Sequence, residues 1–180
     1  MASRAEDLFR VDRLEYLDAE QSAPEKSEWV DGVVYNIAGA SKVHNQTVMT
    51  LVGLLLGVVR AHGCDISASD LLVQTAKAYY YPDIVVSCEP SDDERIEHNP
   101  CFIVEVLSPT TKRTDRHEKR DAYCALGTMQ DYWIVDPESK IVEVWARGPE
   151  GWSASHRTAG DVLRIQCFDL DLKVVDIVGP

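Results

Sequence analysis

The segment of residues 101–107 constrains the fold most, because six of its seven side chains are apolar. A strand of this composition is typical of a position that is buried on both faces, which requires cover on each side of the sheet. Alternation along the strand places Ile103, Glu105 and Leu107 on one face and Phe102, Val104 and Val106 on the other. The prediction is a central strand that carries one buried carboxylate, Glu105.

The remaining patterns predict an α/β (α+β) chain. Apolar residues at three-and-four spacing predict a buried helix over residues 44–61, with Gly63 at its end. Further helices are predicted over residues 11–20 and 115–126, and strands at 33–37, 71–74, 83–87, 132–135, 141–145, near Trp152 and at 174–177. No linker rich in Pro, Gly or Ser divides the sequence, so residues 1–180 are predicted to form a single domain around one central sheet.

The charge distribution excludes proteins that wrap nucleic acid through bulk positive charge. The chain has 18 basic and 30 acidic residues and a net charge of −12. Residues 112–120, however, contain five cations and two acids, which gives +3 locally and leaves −15 for the rest. A solvated helix face, with Asp115 paired to Lys119, is one interpretation of this segment. The other is a lysine that reaches Glu105, because the helix starts a few residues after that strand.

The N-terminal residues, the longest apolar run and the cysteines indicate where in the cell the protein is expected. The first twenty residues lack the apolar core of a secretory signal, and the longest nearly apolar run, residues 48–59, is shorter than the roughly 20 residues that span a bilayer. We therefore predict a cytoplasmic protein with no membrane partner. The five cysteines are odd in number and lack CxxC spacing, which predicts reduced thiols and neither a zinc site nor a disulfide framework.

Two carboxylates are the candidates for chemistry. Burying Glu105 is costly unless its carboxylate is paired, protonated or bound to a metal. A structural carboxylate that is satisfied by backbone donors or an arginine is the alternative to a functional one. Asp83 follows Pro82 and opens the apolar strand 83–87. If strands 83–87 and 101–107 are neighbours, the two carboxylates converge. Oxygen ligands without cysteine or paired histidine favour Mg²⁺ or Mn²⁺ over zinc.

An ordered set of motifs resembles the Uma-two family of restriction endonuclease-like proteins, which belongs to the PD-(D/E)XK nuclease superfamily. The likeness covers most of the chain. The matching segments are EWVDG at 28–32, AGAS at 38–41, HN at 44–45, SD at 69–70, YPDIVV at 81–86, NPCFIVEVLSPTT at 99–111, DRHEK at 115–119 and DYWIVD at 131–136.

The resemblance implies a restriction endonuclease-like mixed central β-sheet flanked by helices, and metal-dependent hydrolysis of phosphodiester bonds. Asp83 matches the Pro-Asp aspartate, Glu105 the (D/E) position, and Glu28 an additional acid from the N-terminal part. The superfamily lysine two residues after the acid is replaced by Leu107. A lysine on the following helix, here Lys119, takes its place in the family's pattern.

The resemblance also implies a cofactor and further site residues. Asp83 and Glu105 would hold Mg²⁺ (or Mn²⁺), while His44 and Asp70 would complete the rim of the site. The implied contacts to DNA phosphates are Arg113, Arg116 and Arg120.

The expected partners are DNA and a second copy of the chain, because cleaving a duplex needs two sites. The acidic surface and the lack of a separate DNA-reading domain predict weak or partner-assisted DNA binding. Two alternatives remain at this point: a catalytically silent binding or regulatory module of the same fold, and a hydrolase of another phosphoester.

Overall fold

The structure, a computed structural model, describes residues 10–37, 39–89, 91–108 and 115–179, with the side chains of residues 115 and 116 outside the description. Its helices are α1 (Arg13–Glu20), α2 (Lys42–Ala61), α3 (Asp115–Cys124) and α4 (Val174–Val178). The first three confirm the predicted helices. The Ser41 side chain caps α2 by accepting a hydrogen bond from the backbone N–H of His44 at 3.1 Å.

The strands form two main sheets and a small hairpin. They are β1 (Ser27–Val30), β2 (Val33–Asn36), β3 (Asp65–Ala68), β4 (Leu72–Gln74), β5 (Ala78–Tyr80), β6 (Ile84–Ser87), β7 (Ile96–Glu97), β8 (Phe102–Val106), β9 (Asp131–Asp136), β10 (Ile141–Gly148), β11 (Gly151–Arg157), β12 (Val162–Ile165) and β13 (Leu170–Lys173). A six-stranded sheet has the order β11-β10-β9-β8-β6-β3, a five-stranded sheet the order β2-β1-β5-β4-β7, and β12 pairs with β13. The mixed α+β class is confirmed, and the five-stranded sheet is an addition that the sequence did not indicate.

The strand β8 lies inside the six-stranded sheet, between β9 in parallel and β6 in antiparallel orientation. Phe102, Ile103 and Val104 are fully buried. As alternation predicts, Phe102 and Val104 join one apolar core, while Ile103 and Leu107 join a second core on the other face. The prediction of a central strand covered on both faces is confirmed.

The helix α2 covers one face of this sheet. Leu51, Leu55 and Val59 recur at helical spacing, are fully buried, and lie in the same core as Phe102. By length and composition alone, α2 is the one helix of the described residues that could cross a membrane. Since the inner face of α2 packs against the sheet, its length and composition are only weak evidence for a membrane span.

The C-terminal segment differs from its prediction. Residues 174–177 were predicted as a strand, whereas they lie in the helix α4. Val174 and Ile177, three residues apart, share a helix face and are both buried in the core that contains α2. A run of four mostly β-branched residues is too short for its periodicity to separate a strand from a helix turn, and tertiary packing decides it.

The cysteine prediction is wrong for one pair. Cys64 and Cys88 form a disulfide, while Cys101, Cys124 and Cys167 are free thiols. Strand β3 pairs with β6 so that Asp65 lies opposite Ser87, and one further step of this register places Cys64 opposite Cys88. The pairing depends on the sheet register, which the 24-residue separation in sequence does not reveal.

Candidate active site

The predicted carboxylates meet where the chain crosses from one main sheet to the other. Residues 81–83 connect β5 of the five-stranded sheet to β6 of the six-stranded sheet. Ile84 pairs with Val104 in the β6–β8 ladder, so the next step of the register places Asp83 opposite Glu105. Directly opposite residues of an antiparallel pair project from the same face. Neighbouring strands therefore bring both acids together, which was the condition on which the sequence argument depended.

The Asp83 carboxylate is fixed by two donors. Its Oδ2 accepts hydrogen bonds from the backbone N–H of Val106 at 2.7 Å and from Nε2 of His44 at 3.1 Å. Both of these donors bind the same oxygen, Oδ2. The hydrogen bond and charge of Asp83 raise the pKa of His44 above its ordinary value, against the opposing effect of burial. The structure thus gives His44 a direct contact with the first acid.

Glu28 reaches the site from the β1–β2 hairpin. Asp31 and Gly32 form its two-residue turn with φ of +46° and +93°, the left-handed pair that a type I′ turn requires. On β1, Trp29 is buried against α1 and β5, so Glu28 projects from the opposite face. Its Oε1 accepts a hydrogen bond from the backbone N–H of Tyr81 at 3.0 Å.

Lys119 joins the acids from α3. Its Nζ donates to Oε1 of Glu28 at 2.8 Å and lies 3.5 Å from Oε1 of Glu105. The ammonium also lies 5.3 Å from the centre of the Tyr80 ring, within range of a cation–π contact. The side chain is only 11% exposed, so Lys119 belongs to a buried ion-pair network and not to a solvated helix face.

Burial and crowding disfavour the ionised form of Glu105. Its pKa is raised from 4.5 to about 8, mainly by desolvation and further by the carboxylates of Asp83 and Glu28. Lys119, and a hydrogen bond of 3.2 Å from the hydroxyl of Tyr123, act in the opposite direction. Repulsion among the three acids thus opposes ionisation of Glu105, and a divalent cation beside Asp83 and Glu105 would relieve this repulsion.

The donor chemistry of this cluster fits a hard divalent cation. Carboxylate oxygens are the ligands that Mg²⁺ prefers, and one or two of them suffice when water and phosphate complete the coordination. Within the described ranges, no group of three or more His, Cys, Asp or Glu side chains is arranged to hold a metal ion. The adjacent Asp83 and Glu105 supply two carboxylates of this kind.

The other predicted site residues lie outside this cluster or outside the described residues. Asp70 is exposed and pairs with Lys26, and within the described residues it forms no hydrogen bond or ion pair with the three acids. The Arg120 guanidinium pairs with Asp121 and lies 4.7 Å from the centre of the Trp145 ring. Arg113 and the side chain of Arg116 lie outside the described residues.

Tyr123 and Tyr80 are site residues that the sequence argument did not assign. Tyr123 is fully buried and bonds Glu105, and its ring packs edge-on against Tyr80 with 5.5 Å between centres. Tyr80 in turn donates from its hydroxyl to Glu118 at 3.2 Å. The spacing of Lys119 and Tyr123, four residues apart on one helix face, was the available signal.

Replacing Tyr123 by Phe is expected to raise the pKa of Glu105 above about 8, because it deletes a donor that stabilises the carboxylate and keeps the buried ring. A hydrogen bond of about 1 kcal/mol corresponds to somewhat less than one pKa unit. NMR titration of the Glu105 carboxyl carbon in metal-free protein measures the shift. Tyr80→Phe is the matched control, since that hydroxyl bonds Glu118. An unchanged Glu105 titration in Tyr123→Phe would contradict the assignment.

Comparisons with known proteins agree with this architecture. A model of the Uma2 family, described as "Putative restriction endonuclease", matches residues 13–175. Two proteins of Synechocystis sp., both described as uncharacterized, are 32% identical over 169 and 145 residues, covering 91% and 77% of this chain and 88% and 82% of theirs. A crystal structure from Anabaena variabilis, described as a putative nuclease belonging to DUF820, has a TM-score of 0.74 at 20% identity, covering 90% of this chain and 96% of that chain. At this identity, the structural likeness concerns the fold.

Proposed function

Because the chain belongs to the Uma2 family, we propose that it is a metal-dependent endonuclease that hydrolyses phosphodiester bonds of DNA. The observation that carries the proposal is the convergence of Asp83, Glu105 and Lys119 at the junction of the two sheets. Asp83 immediately precedes β6, Glu105 lies on β8 and Lys119 on α3, and a buried cluster of acids is costly to keep for stability alone.

In this proposal Asp83 and Glu105 hold the ion. The two donors on Oδ2 of Asp83 fix the carboxylate plane, which prepares Oδ1 for coordination. A bound Mg²⁺ or Mn²⁺ would supply a water of lowered pKa and positive charge at the scissile phosphate. Ion binding favours the carboxylate form of Glu105, which burial disfavours in the metal-free protein.

Lys119 has two roles in this proposal. It positions the attacking water, and it neutralises the negative charge that develops on the phosphate. Its ammonium lies 3.5 Å from Glu105, so a group held by Glu105 is within its reach. Glu28 holds the ammonium in place at 2.8 Å, and the Tyr81 N–H fixes the same Glu28 oxygen in turn. Glu28 is therefore a positioning residue for the Lys119 ammonium.

DNA binding is proposed to be weak or assisted by a partner. The segment 112–120 carries +3, whereas the rest of the chain carries −15 and repels phosphates over its surface. Arg113, Arg116 and Arg120 are the proposed phosphate contacts, and Arg120 would have to leave Asp121 to make one. A homodimer remains the proposed form for duplex cleavage, because the described residues of one chain offer one such cluster and a duplex has two strands.

The experiment is a cleavage assay on supercoiled, linear and single-stranded DNA with Mg²⁺ or Mn²⁺. We expect nicking or linearisation by the wild-type protein that stops when the ion is chelated. Asp83→Asn keeps the size of the side chain and removes its charge, and it is expected to reduce cleavage to background. Cleavage that survives in this variant would identify a contaminating nuclease and overturn the assignment.

One observation favours a second candidate, a catalytically silent binding module. Lys119 already pairs with Glu28 and Glu105, so the cluster can persist as an internal ion-pair network without a metal. The same assay separates the two candidates when it is combined with calorimetric titration of Mg²⁺. Absence of both cleavage and measurable metal binding would favour the silent module.

A further inference from the structure

Four of the five cysteines lie together at the end of β6 and β8 that is remote from the acids. Cys88 follows β6 and forms the disulfide with Cys64, while Cys101 immediately precedes β8. The Cys101 sulfur lies 3.8 Å from the Cys88 sulfur. Cys167, from the turn between β12 and β13, hydrogen-bonds Cys101. A free thiol thus contacts one sulfur of an existing disulfide.

The surroundings favour Cys101 as a nucleophile. A hydrogen bond between the Cys167 thiol and the Cys101 sulfur, and the backbone hydrogen bonds of residues 88 and 101, favour the thiolate of Cys101. Together they lower the pKa of Cys101, against the effects of burial and of the buried Asp131 carboxylate. The pKa of Cys167 is raised in turn, which keeps it the donor. Cys124, by contrast, has its pKa raised by burial to about 11.

The cysteines of this cluster differ in their exposure to solvent. Cys64 and Cys101 are buried at 4% and 6% exposure, whereas Cys88 is exposed. An external thiol therefore meets the disulfide at Cys88, which is also the residue that Cys101 contacts. In reducing compartments, disulfides are usually transient and take part in catalysis or redox sensing.

We propose that Cys64, Cys88, Cys101 and Cys167 form a thiol–disulfide exchange site that reacts with low-molecular-weight thiols and their disulfides. The thiolate of Cys101 attacks Sγ of Cys88, the Cys88–Cys101 bond forms, the Cys64–Cys88 bond breaks, and Cys64 leaves as the thiolate. No external oxidant is consumed, because one disulfide replaces another. Cys167 holds the attacking sulfur by its hydrogen bond and is a positioning residue.

With an external thiol, the same chemistry proceeds in two steps. The thiolate attacks Cys88 and forms a mixed disulfide, which releases Cys64. Cys101 then attacks Cys88 and expels the external thiolate. Since Cys101 lies four residues before Glu105, roughly 13 Å along the strand, the exchange site is separate from the acids and independent of the proposed nuclease activity.

The test removes Cys64 and follows Cys88. The variant Cys64→Ser is treated with oxidised glutathione, quenched with acid and mapped by mass spectrometry of its peptides. Cys88 is expected to gain glutathione, which Cys101 then displaces to form a Cys88–Cys101 disulfide while two glutathione thiols are released. In the double variant Cys64→Ser/Cys101→Ser the adduct on Cys88 should persist, with a lifetime about tenfold longer or more.

Two outcomes overturn the proposal. One is a persistent glutathione adduct on Cys88 of Cys64→Ser with Cys101 still free. If that variant does not fold, the wild-type protein in a glutathione redox buffer decides the question, because exchange predicts both Cys64–Cys88 and Cys88–Cys101 peptides. Detection of the first linkage alone at all times is the second contrary outcome. Cys124→Ser is the matched control and should behave as the wild-type protein does.

Discussion

Replacing Glu105 by Gln is expected to abolish metal-dependent cleavage and at the same time to stabilise the metal-free protein at neutral to alkaline pH. The amide keeps the shape of the side chain but removes one of two proposed anionic ligands, so the rate should fall by on the order of a thousandfold or more. The gain in stability has a separate cause, the burial of a carboxylate beside Asp83 and Glu28.

The sign of the stability effect follows from the Glu105 pKa. Its value rises from 4.5 to about 8 on folding, so the folded protein binds this proton more tightly than the unfolded chain does. The stabilising contribution is fully present below 4.5 and is lost as the pH rises through 8. Gln does not titrate, so the advantage of the variant grows across this window. At about 1.4 kcal/mol per pKa unit, it reaches a few kcal/mol.

Thermal unfolding between about pH 5 and pH 9, with and without Mg²⁺, measures both effects. Mg²⁺ should stabilise the wild-type protein and leave Glu105→Gln unchanged. Glu97→Gln is a matched control, since Glu97 is also a buried carboxylate but accepts hydrogen bonds from the backbone of Ser91 and Asn99. It should retain cleavage and the response to Mg²⁺. Cleavage at the wild-type rate by Glu105→Gln would disprove the role of Glu105 as a ligand.

Replacing Lys119 by Met is expected to lower the cleavage rate by about 10²- to 10³-fold while metal binding persists. Met fills the space beside the Tyr80 ring without the ammonium group. The variant should also lose about 3 kcal/mol of stability near neutral pH, because the Glu28 carboxylate is left buried without its counter-ion. The stability loss should shrink as the pH falls and the carboxylates become protonated.

A double variant separates the two roles of Lys119. Glu28→Gln combined with Lys119→Met removes an acid together with its partner, and it should recover most of the lost stability without recovering cleavage. Chemical denaturation and the cleavage assay provide the two measurements. Wild-type turnover in Lys119→Met would show that another cation supplies the charge, and Lys112, on the same basic segment, would be the next to test.

Periodicity was sufficient for the elements that form the core. The apolar strand and the three-and-four repeat correspond to β8 and α2, because a buried face imposes its own spacing on the sequence. Short strands such as β3, β5 and β7 were not predicted, since two to four residues carry no measurable period. The segment 174–177 was predicted wrongly for the same reason.

Glu105 and Asp83 could be singled out from the sequence because one lies within an apolar strand and the other directly before one. A carboxylate at such a position is costly to bury without a specific partner. Their partners were less visible. Lys119 was one of five cations in its segment, and the motif resemblance rather than its surroundings singled it out. Tyr123, and the N–H groups of Tyr81 and Val106, act through contacts that no residue type reveals.

The sequence by itself determined the central strand and its buried acid, the long core helix, and the family to which the chain belongs. These follow from local order along the chain. Only the tertiary structure decided that Glu28 and Lys119 pair across 91 residues, that His44 holds Asp83, and that Cys64 meets Cys88. Such contacts depend on sheet register and on the crossing between two sheets. A shift of one residue in the strand register would turn these side chains to the other face of the sheet.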